Sequence, residues 1–348
     1  MNEARRVLAG RVRRQAVACA RLGSPLYERL LEQVARDVEA AGPSWKVLQG
    51  HDLPPGSSPA LRLMGAVHRI VLEGRAPGLA RHYPTTGGQA GVTDAAWPEL
   101  RAVLEEHLSE LRHRMRDPVQ TNEVGRAAAL VGGFATVAAT TGLPLCVLEI
   151  GASAGLNLGF DHFAYEVDGQ LLVSPASPVR IRGVYEAGTP PLDVVMRVVE
   201  RQGCDVRPLD PTTEEGRLRL LSYVWPDQLE RVGLLEGAIE VARRVPAAVK
   251  QQSAALWLPD RLARQRRGTA RVVFHSIITQ YLAPSERDSV EDLIAGAAAR
   301  ATAATPLARL AMEPAGELAD VRLTIWPDGT ERLLARVGYH GRPVLWLA

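Results

Sequence analysis

VLEIGASAGLNL, residues 147–158, is the stretch on which the reading of the fold turns. CVLEI (146–150) is a short apolar run bounded by Pro144 and Gly151, the form of a buried parallel strand. Gly151, Ala152, Ser153, Ala154 and Gly155 follow, all small. Such a turn leaving a strand lets backbone approach a ligand closely. Glu149 stands two residues before Gly151.

Working outward, strands and helices alternate. The pattern predicts helices at 191–202, 228–244 and 284–302. It predicts strands at 204–209, 247–253, 270–276 (ARVVFHS) and 307–313 (LARLAME). VRLTIW, a Pro327-Asp328-Gly329 turn, ERLLARV and PVLWL then read as an antiparallel meander. Alternation of this kind implies right-handed crossovers and a mostly parallel, doubly wound sheet, with ligands at the carboxyl ends of its strands.

The first 140 residues read as helical. Residues 4–22 form one helix, and Ser24-Pro25 opens another whose Leu26, Leu30, Val34 and Val38 recur every four residues. Residues 51–59 are a loop and 74–96 are irregular. Leu61, Met64, His68, Val71 and Leu72 make a further helical face. Trp97-Pro98 opens a helix carrying Leu100, Leu104, Leu108, Leu111 and Met115, and Thr121 caps one running to Thr141. The organisation expected is an N-terminal helical cap region, 1–118, and an α/β domain, 119–348, with an insertion at about 163–190.

The glycine turn admits three readings. As a cofactor cradle it resembles the first motif of the Rossmann-like S-adenosylmethionine methyltransferases: hydrophobic residues, an acid, then G-x-G-x-G. The acid is Glu149, the outer glycines are Gly151 and Gly155, and Ser153 takes the middle place. The resemblance covers about residues 121–348. It extends to the antiparallel hairpin after the fifth strand and to the helix before the first. As G-x-S-x-G, the same letters spell a nucleophile elbow. Ser153 is then the nucleophile of a serine hydrolase, and Asp227 with His275 or His340 follows in the order Ser, Asp, His. No HGGG-like segment precedes it. The third reading is a packed strand-to-helix turn without a ligand, as in a non-catalytic binding protein on this fold.

The methyltransferase resemblance implies roles for several residues. Glu149, Gly151, Ser153, Gly155 and Asn157 would hold S-adenosylmethionine. Asn122, Glu123 and Arg126 share a helical face and would sit over the turn, unless they are a capped helix start with a local ion pair. Asp210, at the end of the second strand, would take the ribose hydroxyls; Asp205 and Asp161 are rivals, and a plain strand-end turn is the alternative. Tyr223, Trp225, Asp227 and Gln228 suit a pocket for a flat or cationic group, or else a buried Trp at a helix entry. His275, at the end of the fourth strand, would be a general base, or else a hydrogen-bonded core residue, with Gln280 and Tyr281 on the same rim. Glu313, at the end of the fifth, is a second base or an orienting acid. His340 reads as a turn residue.

At greater length the chain resembles an uncharacterised bacterial family, domain of unknown function 2332. The carrying segments are QTNEVGR (120–126), LEIGASAGLNL (148–158), LLSYVWPDQ (220–228), VVFHSIITQY (272–281) and GYHGRPVLWL (338–347). That resemblance supplies a fold and a cofactor class but no substrate.

Composition narrows the partners. The 348 residues are 46% hydrophobic and carry a net charge of +2, so no bulk field argues for nucleic acid or membrane. No apolar run approaches the roughly 18 residues of a membrane span. The arginines at 261–267 read as a solvated helix end, without aromatic interleaving. Cys19, Cys146 and Cys204 form no CxxC, which fits a reducing cytoplasm. HExxH is absent, and no metal site is expected. The partner expected is a small-molecule substrate, with the helical N-terminus closing over its pocket.

Overall fold

The structure, a computed structural model, describes residues 2–54, 57–91, 94–264 and 266–348. The loop expected at 51–59, the irregular stretch at 74–96 and the arginine-rich 261–267 each include a residue or two outside these. The chain divides into two compact units, Met1–Thr121 with Thr213–Val232, and Asn122–Thr212 with Gly233–Ala348.

The first unit is helical: α1 (Glu3–Arg21), α2 (Pro25–Glu39), α3 (Pro43–Leu48), α4 (Pro59–Leu72), α5 (Pro77–Ala80), α6 (Ala96–Glu106) and α7 (Leu108–Arg114). Ser24 caps α2 through Tyr27 N and Pro25 holds its first position, as expected of a residue whose missing N–H has no partner there. The stripe of Leu26, Leu30, Val34 and Val38 is buried. The single helix expected from Trp97 to Met115 is instead two, α6 and α7, broken at His107.

The second unit opens with α8 (Ala127–Thr141), entered through a 3₁₀ turn at Val124–Arg126 capped by the Glu123 carboxylate on Gly125 N. The cap is Glu123, not the expected Thr121. The 18-residue stretch Val124–Thr141 has mean hydropathy 1.2, long and apolar enough on average to cross a membrane, although Arg126 interrupts it; 72% of it is buried inside the protein. Then come β1 (Leu145–Ile150), β2 (Ala164–Val167), β3 (Gln170–Val173), β4 (Arg180–Ile181), β5 (Tyr185–Ala187) and β6 (Val198–Asp205). Helix α9 (Glu214–Ser222) returns to the first unit, and α10 (Leu229–Arg244) leads back. The remainder is β7 (Ala248–Gln251), α11 (Ala254–Ala263), β8 (Ala270–Ser276), α12 (Pro284–Ala298), β9 (Leu307–Ala315), β10 (Leu318–Trp326), β11 (Glu331–Val337) and β12 (Val344–Trp346).

Nine strands form one sheet in the order β5-β12-β11-β10-β9-β8-β1-β6-β7. The five strands β7, β6, β1, β8 and β9 are mutually parallel, and β9 to β12 run antiparallel. The α/β class and the closing meander therefore agree with the sequence. The insertion builds a small sheet, β3-β2-β4, while β5 joins the edge of the large one. The helix expected at 191–202 does not form: β6 occupies 198–205 instead. Its charges, which disguised it, are met across the fold, Arg201 by Asp161 at 2.7 Å and Glu200 by the Cys146 thiol at 3.2 Å.

Alternate residues of β1 face opposite ways. Cys146, Leu148 and Ile150 pack with Val273 of β8 against Trp257 and Leu258 of α11 and Val290 and Ile294 of α12. On the other face Phe134 of α8 meets Phe274 of β8 edge-on and stacks on Phe160. Among the parallel strands, the chain goes from β1 to β6 and β7 on one side and only then to β8 and β9 on the other. The order reverses between β1 and β8, where open sheets of this kind bind ligands.

A candidate active site at the carboxyl ends of the parallel strands

The turn after β1 is left-handed at Gly151 (φ 67°), Ser153 (φ 53°) and Gly155 (φ 72°). Its amides are satisfied within the unit. Ala152 N donates to Cys204 O, Ser153 N to Asp205 Oδ2 at 2.9 Å, and Gly155 N to Ala152 O. Ala154 N and Leu156 N both donate to Asn122 Oδ1, at 3.1 and 3.0 Å. A Cβ on Gly151 would lie 2.6 Å from the Ile278 side chain, and one on Gly155 2.7 Å from Val249. The glycines thus serve backbone conformation and close packing by the fold's own side chains.

Beyond the turn the chain forms a 3₁₀ segment, Leu156–His162, pinned when Arg201 bonds Leu158 O and both oxygens of Asp161. Asn157 is 2% exposed; its Nδ2 donates to Glu123 O, and its Oδ1 is buried with no partner.

Glu149 is the more unusual group. It lies one residue from the end of β1, 3% exposed, and its Oε2 is buried without a hydrogen-bond partner. Burial pushes its carboxyl well above the usual carboxylate range, Asp205 adds to this, and Arg126 opposes it. Since Glu149 pairs in register with Phe274, it points to the α8 face of the sheet.

The acid ending the second parallel strand is Asp205, not Asp210, because β6 stops at 205. Asp205 accepts from Ser153 N and, at 2.8 Å, Arg207 N. Asp210 is exposed and accepts from Thr212 N and Oγ1 two residues on, a local turn.

Arg126 ties three of the motifs together. Its guanidinium donates to Tyr339 O at 3.0 Å and to Ser276 O at 3.1 Å. Beside it the backbones of Gly125 and Gly341 touch so closely that neither would accept a Cβ. His340 therefore belongs to a packed turn.

At the end of β8, His275 Nδ1 lies 2.7 Å from Glu313 Oε1 on β9. Glu313 also accepts from Ile278 N at 3.1 Å and from Thr279 Oγ1 at 2.7 Å. Burial alone would raise the Glu313 carboxyl, but His275, Thr279 and the Ile278 amide hold it below its ordinary range. With Nδ1–H donated to a carboxylate, the neutral imidazole carries its lone pair on Nε2. His275 is 3% exposed and shares its face with Val273, opposite to Glu149. The next residue but one, Ile277, is β-branched at φ 54°, a conformation that costs such residues about 1–3 kcal/mol and clusters at functional sites. Gln280 and Tyr281 follow, both exposed, Tyr281 at 60%.

Tyr223, Trp225 and Asp227 belong to the helical unit, where each has a packing task. Trp225 is part of that unit's core. The Tyr223 ring fills the space over Gly65. Asp227 accepts from Ser24 Oγ at 2.6 Å and Leu26 N at 3.0 Å, so it serves the start of α2. Sequence reasoning missed Ile278 and Thr279; the register of β8 beside β9, which brings Glu313 to them, was the signal.

Among the described residues no three His, Cys, Asp or Glu side chains gather as a metal would need, and the three cysteines are free and buried. No curated protein and no solved structure matches the chain. The family described as "Uncharacterized protein conserved in bacteria (DUF2332)" matches residues 9–346. Four of the five segments that carry the likeness meet at the turn after β1, and the chain belongs to that family.

Proposed function

We propose that the second unit is a Rossmann-like methyltransferase that binds S-adenosylmethionine at the β1 turn and methylates a small molecule. One observation carries the reading: the buried carboxyl of Glu149, whose Oε2 has no hydrogen-bond partner, beside the switch point of the sheet. Native folds rarely leave a buried polar atom unsatisfied. Here two acceptors, Glu149 Oε2 and Asn157 Oδ1, are left so on either side of one glycine turn. Their chemistry fits a ligand rich in N–H and O–H donors and bearing positive charge. Asp205, at the second strand's end, has lone pairs left for hydroxyls beyond the two amides it already accepts.

Glu149, Asn157 and Asp205 would hold the cofactor, which supplies a methyl group activated as a sulfonium. His275 is the proposed base. Its Nε2 takes the proton of the acceptor, and Glu313, already bonded to Nδ1, stabilises the imidazolium that results. Holding the acceptor in line is the larger contribution, since orientation alone supplies several kcal/mol.

Calorimetric titration with S-adenosylmethionine and S-adenosylhomocysteine tests the reading. Saturable heats, weakened in Asn157→Ala, are expected; absence of heat with both ligands would remove it.

A serine hydrolase is the second reading. The left-handed φ of Ser153 suits an elbow, and the His275–Glu313 pair suits a triad. Against it, the amide of Ala154, which would serve the oxyanion, donates to Asn122. Fluorophosphonate labelling lost in Ser153→Ala would favour this reading.

A further inference from the structure

We infer that the ligand of this site binds as a cation in exchange for one proton, and that the proton leaves Glu149. The inference rests on the cofactor reading and deepens it by naming the charge chemistry of the site. Glu149 reaches the α8 face in register with the Phe274 ring. The charged groups that face it are Asp205 from β6 and Arg126 from the turn before α8. Asp205 disfavours the charged form of Glu149; Arg126 favours it, but burial is the larger effect. Asp205 is an anion occupied by the amides of Ser153 and Arg207. Arg126 directs its guanidinium at the carbonyls of Tyr339 and Ser276.

A carboxylate this buried, with an unpartnered oxygen and a second anion one strand away, rests as the neutral acid. The direction of its acidity shift agrees, burial leading and Asp205 following. A ligand with a sulfonium or ammonium centre changes the balance. The O–H bond of Glu149 breaks, the proton passes to solvent, and the carboxylate left behind pairs with the cation. Nothing is oxidised or reduced. Affinity for a cationic ligand then rises with pH, by about tenfold per unit while Glu149 is mostly protonated in the free protein. An uncharged adenosyl compound shows no such slope.

The test is titration calorimetry of the whole chain with S-adenosylmethionine at neutral pH, in phosphate and in Tris, buffers that differ in ionisation enthalpy. 5′-Methylthioadenosine, which keeps the adenosyl group and has no cationic centre, is the control. The expected result is a buffer-dependent heat equivalent to about one proton for S-adenosylmethionine, none for the control, and none in Glu149→Gln. Glutamine is the neutral isostere of the protonated acid, so that variant keeps the fold. The wild-type pH slope of S-adenosylmethionine against 5′-methylthioadenosine gives a measurement independent of it. Equal heats for S-adenosylmethionine in both buffers, or a buffer dependence that survives Glu149→Gln, overturn the inference alone. Silence with every adenosyl compound overturns the cofactor reading and the inference with it.

Discussion

His275 Nδ1 and Glu313 Oε1 lie 2.7 Å apart, joining the carboxyl ends of the neighbouring parallel strands β8 and β9. The same carboxylate takes the Ile278 amide and the Thr279 hydroxyl. One acid therefore orients the proposed base and fixes the loop that carries Ile278 onto Gly151. Base, loop and glycine turn are held as a unit, and the strain at Ile277 is maintained by those bonds.

Glu313→Gln should destabilise the protein by about 1–3 kcal/mol near neutral pH, because charge-assisted bonds to a half-buried acceptor are lost. The pH dependence has a definite sign. The folded-state acidity of Glu313 lies below its ordinary value of 4.5. Its contribution is complete above that value and disappears as pH falls through the folded-state value. Melting curves of wild type and variant should converge on acidification; a constant gap would show that the carboxylate's charge is not what stabilises.

Glu149→Gln should act in the opposite sense. Burial raises the folded-state acidity of Glu149 above its ordinary 4.5. The folded chain then binds more protons than the unfolded one, and wild-type stability falls as pH rises above that value. Glutamine removes the penalty. Its melting temperature should exceed that of wild type at pH 7–8 by about 2 °C or more, and the two should meet in mild acid. A lower melting temperature for the variant at neutral pH would mean that the carboxylate has a protein partner.

Much of this arrangement was legible in the letters. CVLEI and ARVVFHS are apolar and flanked by turn residues, so β1 and β8 declared themselves, and with them Glu149 and His275 at the strand ends. Strand β6 did not, because Glu200, Arg201 and Gln202 look like a solvated helix until Asp161 and Cys146 are seen opposite them. That one misplacement moved the strand-end acid from Asp205 to Asp210. The pairing of His275 with Glu313 spans 38 residues and follows only from register. SYVWPDQ misled for another reason: aromatics beside an acid suit a pocket and a helix entry equally, and contacts alone decide.

Asp227 is therefore expected to act on stability. It accepts from Ser24 Oγ and Leu26 N at the start of α2, so Asp227→Ala should cost about 0.5–2 kcal/mol, as loss of a helix cap does. The calorimetric affinity for S-adenosylmethionine should be unchanged at equal folded fraction. A selective loss of binding by a variant with a wild-type melting temperature would return this acid to the ligand's pocket.

Asn122 should prove the most sensitive polar side chain of the turn. Its one Oδ1 accepts two buried amides, from Ala154 and Leu156, at 3.1 and 3.0 Å. Asn122→Ala strands both, and each buried donor left unpaired costs about 1–3 kcal/mol. A loss of about 2–5 kcal/mol in urea unfolding is expected, with the slope on urea unchanged because the surface exposed on unfolding is the same. Asn122→Asp keeps an acceptor at that position and should recover part of the loss, in proportion to what two amide bonds offset against a buried charge. If Asn122→Ala instead unfolds within about 0.5 kcal/mol of wild type, as surface substitutions do, then other acceptors serve these amides.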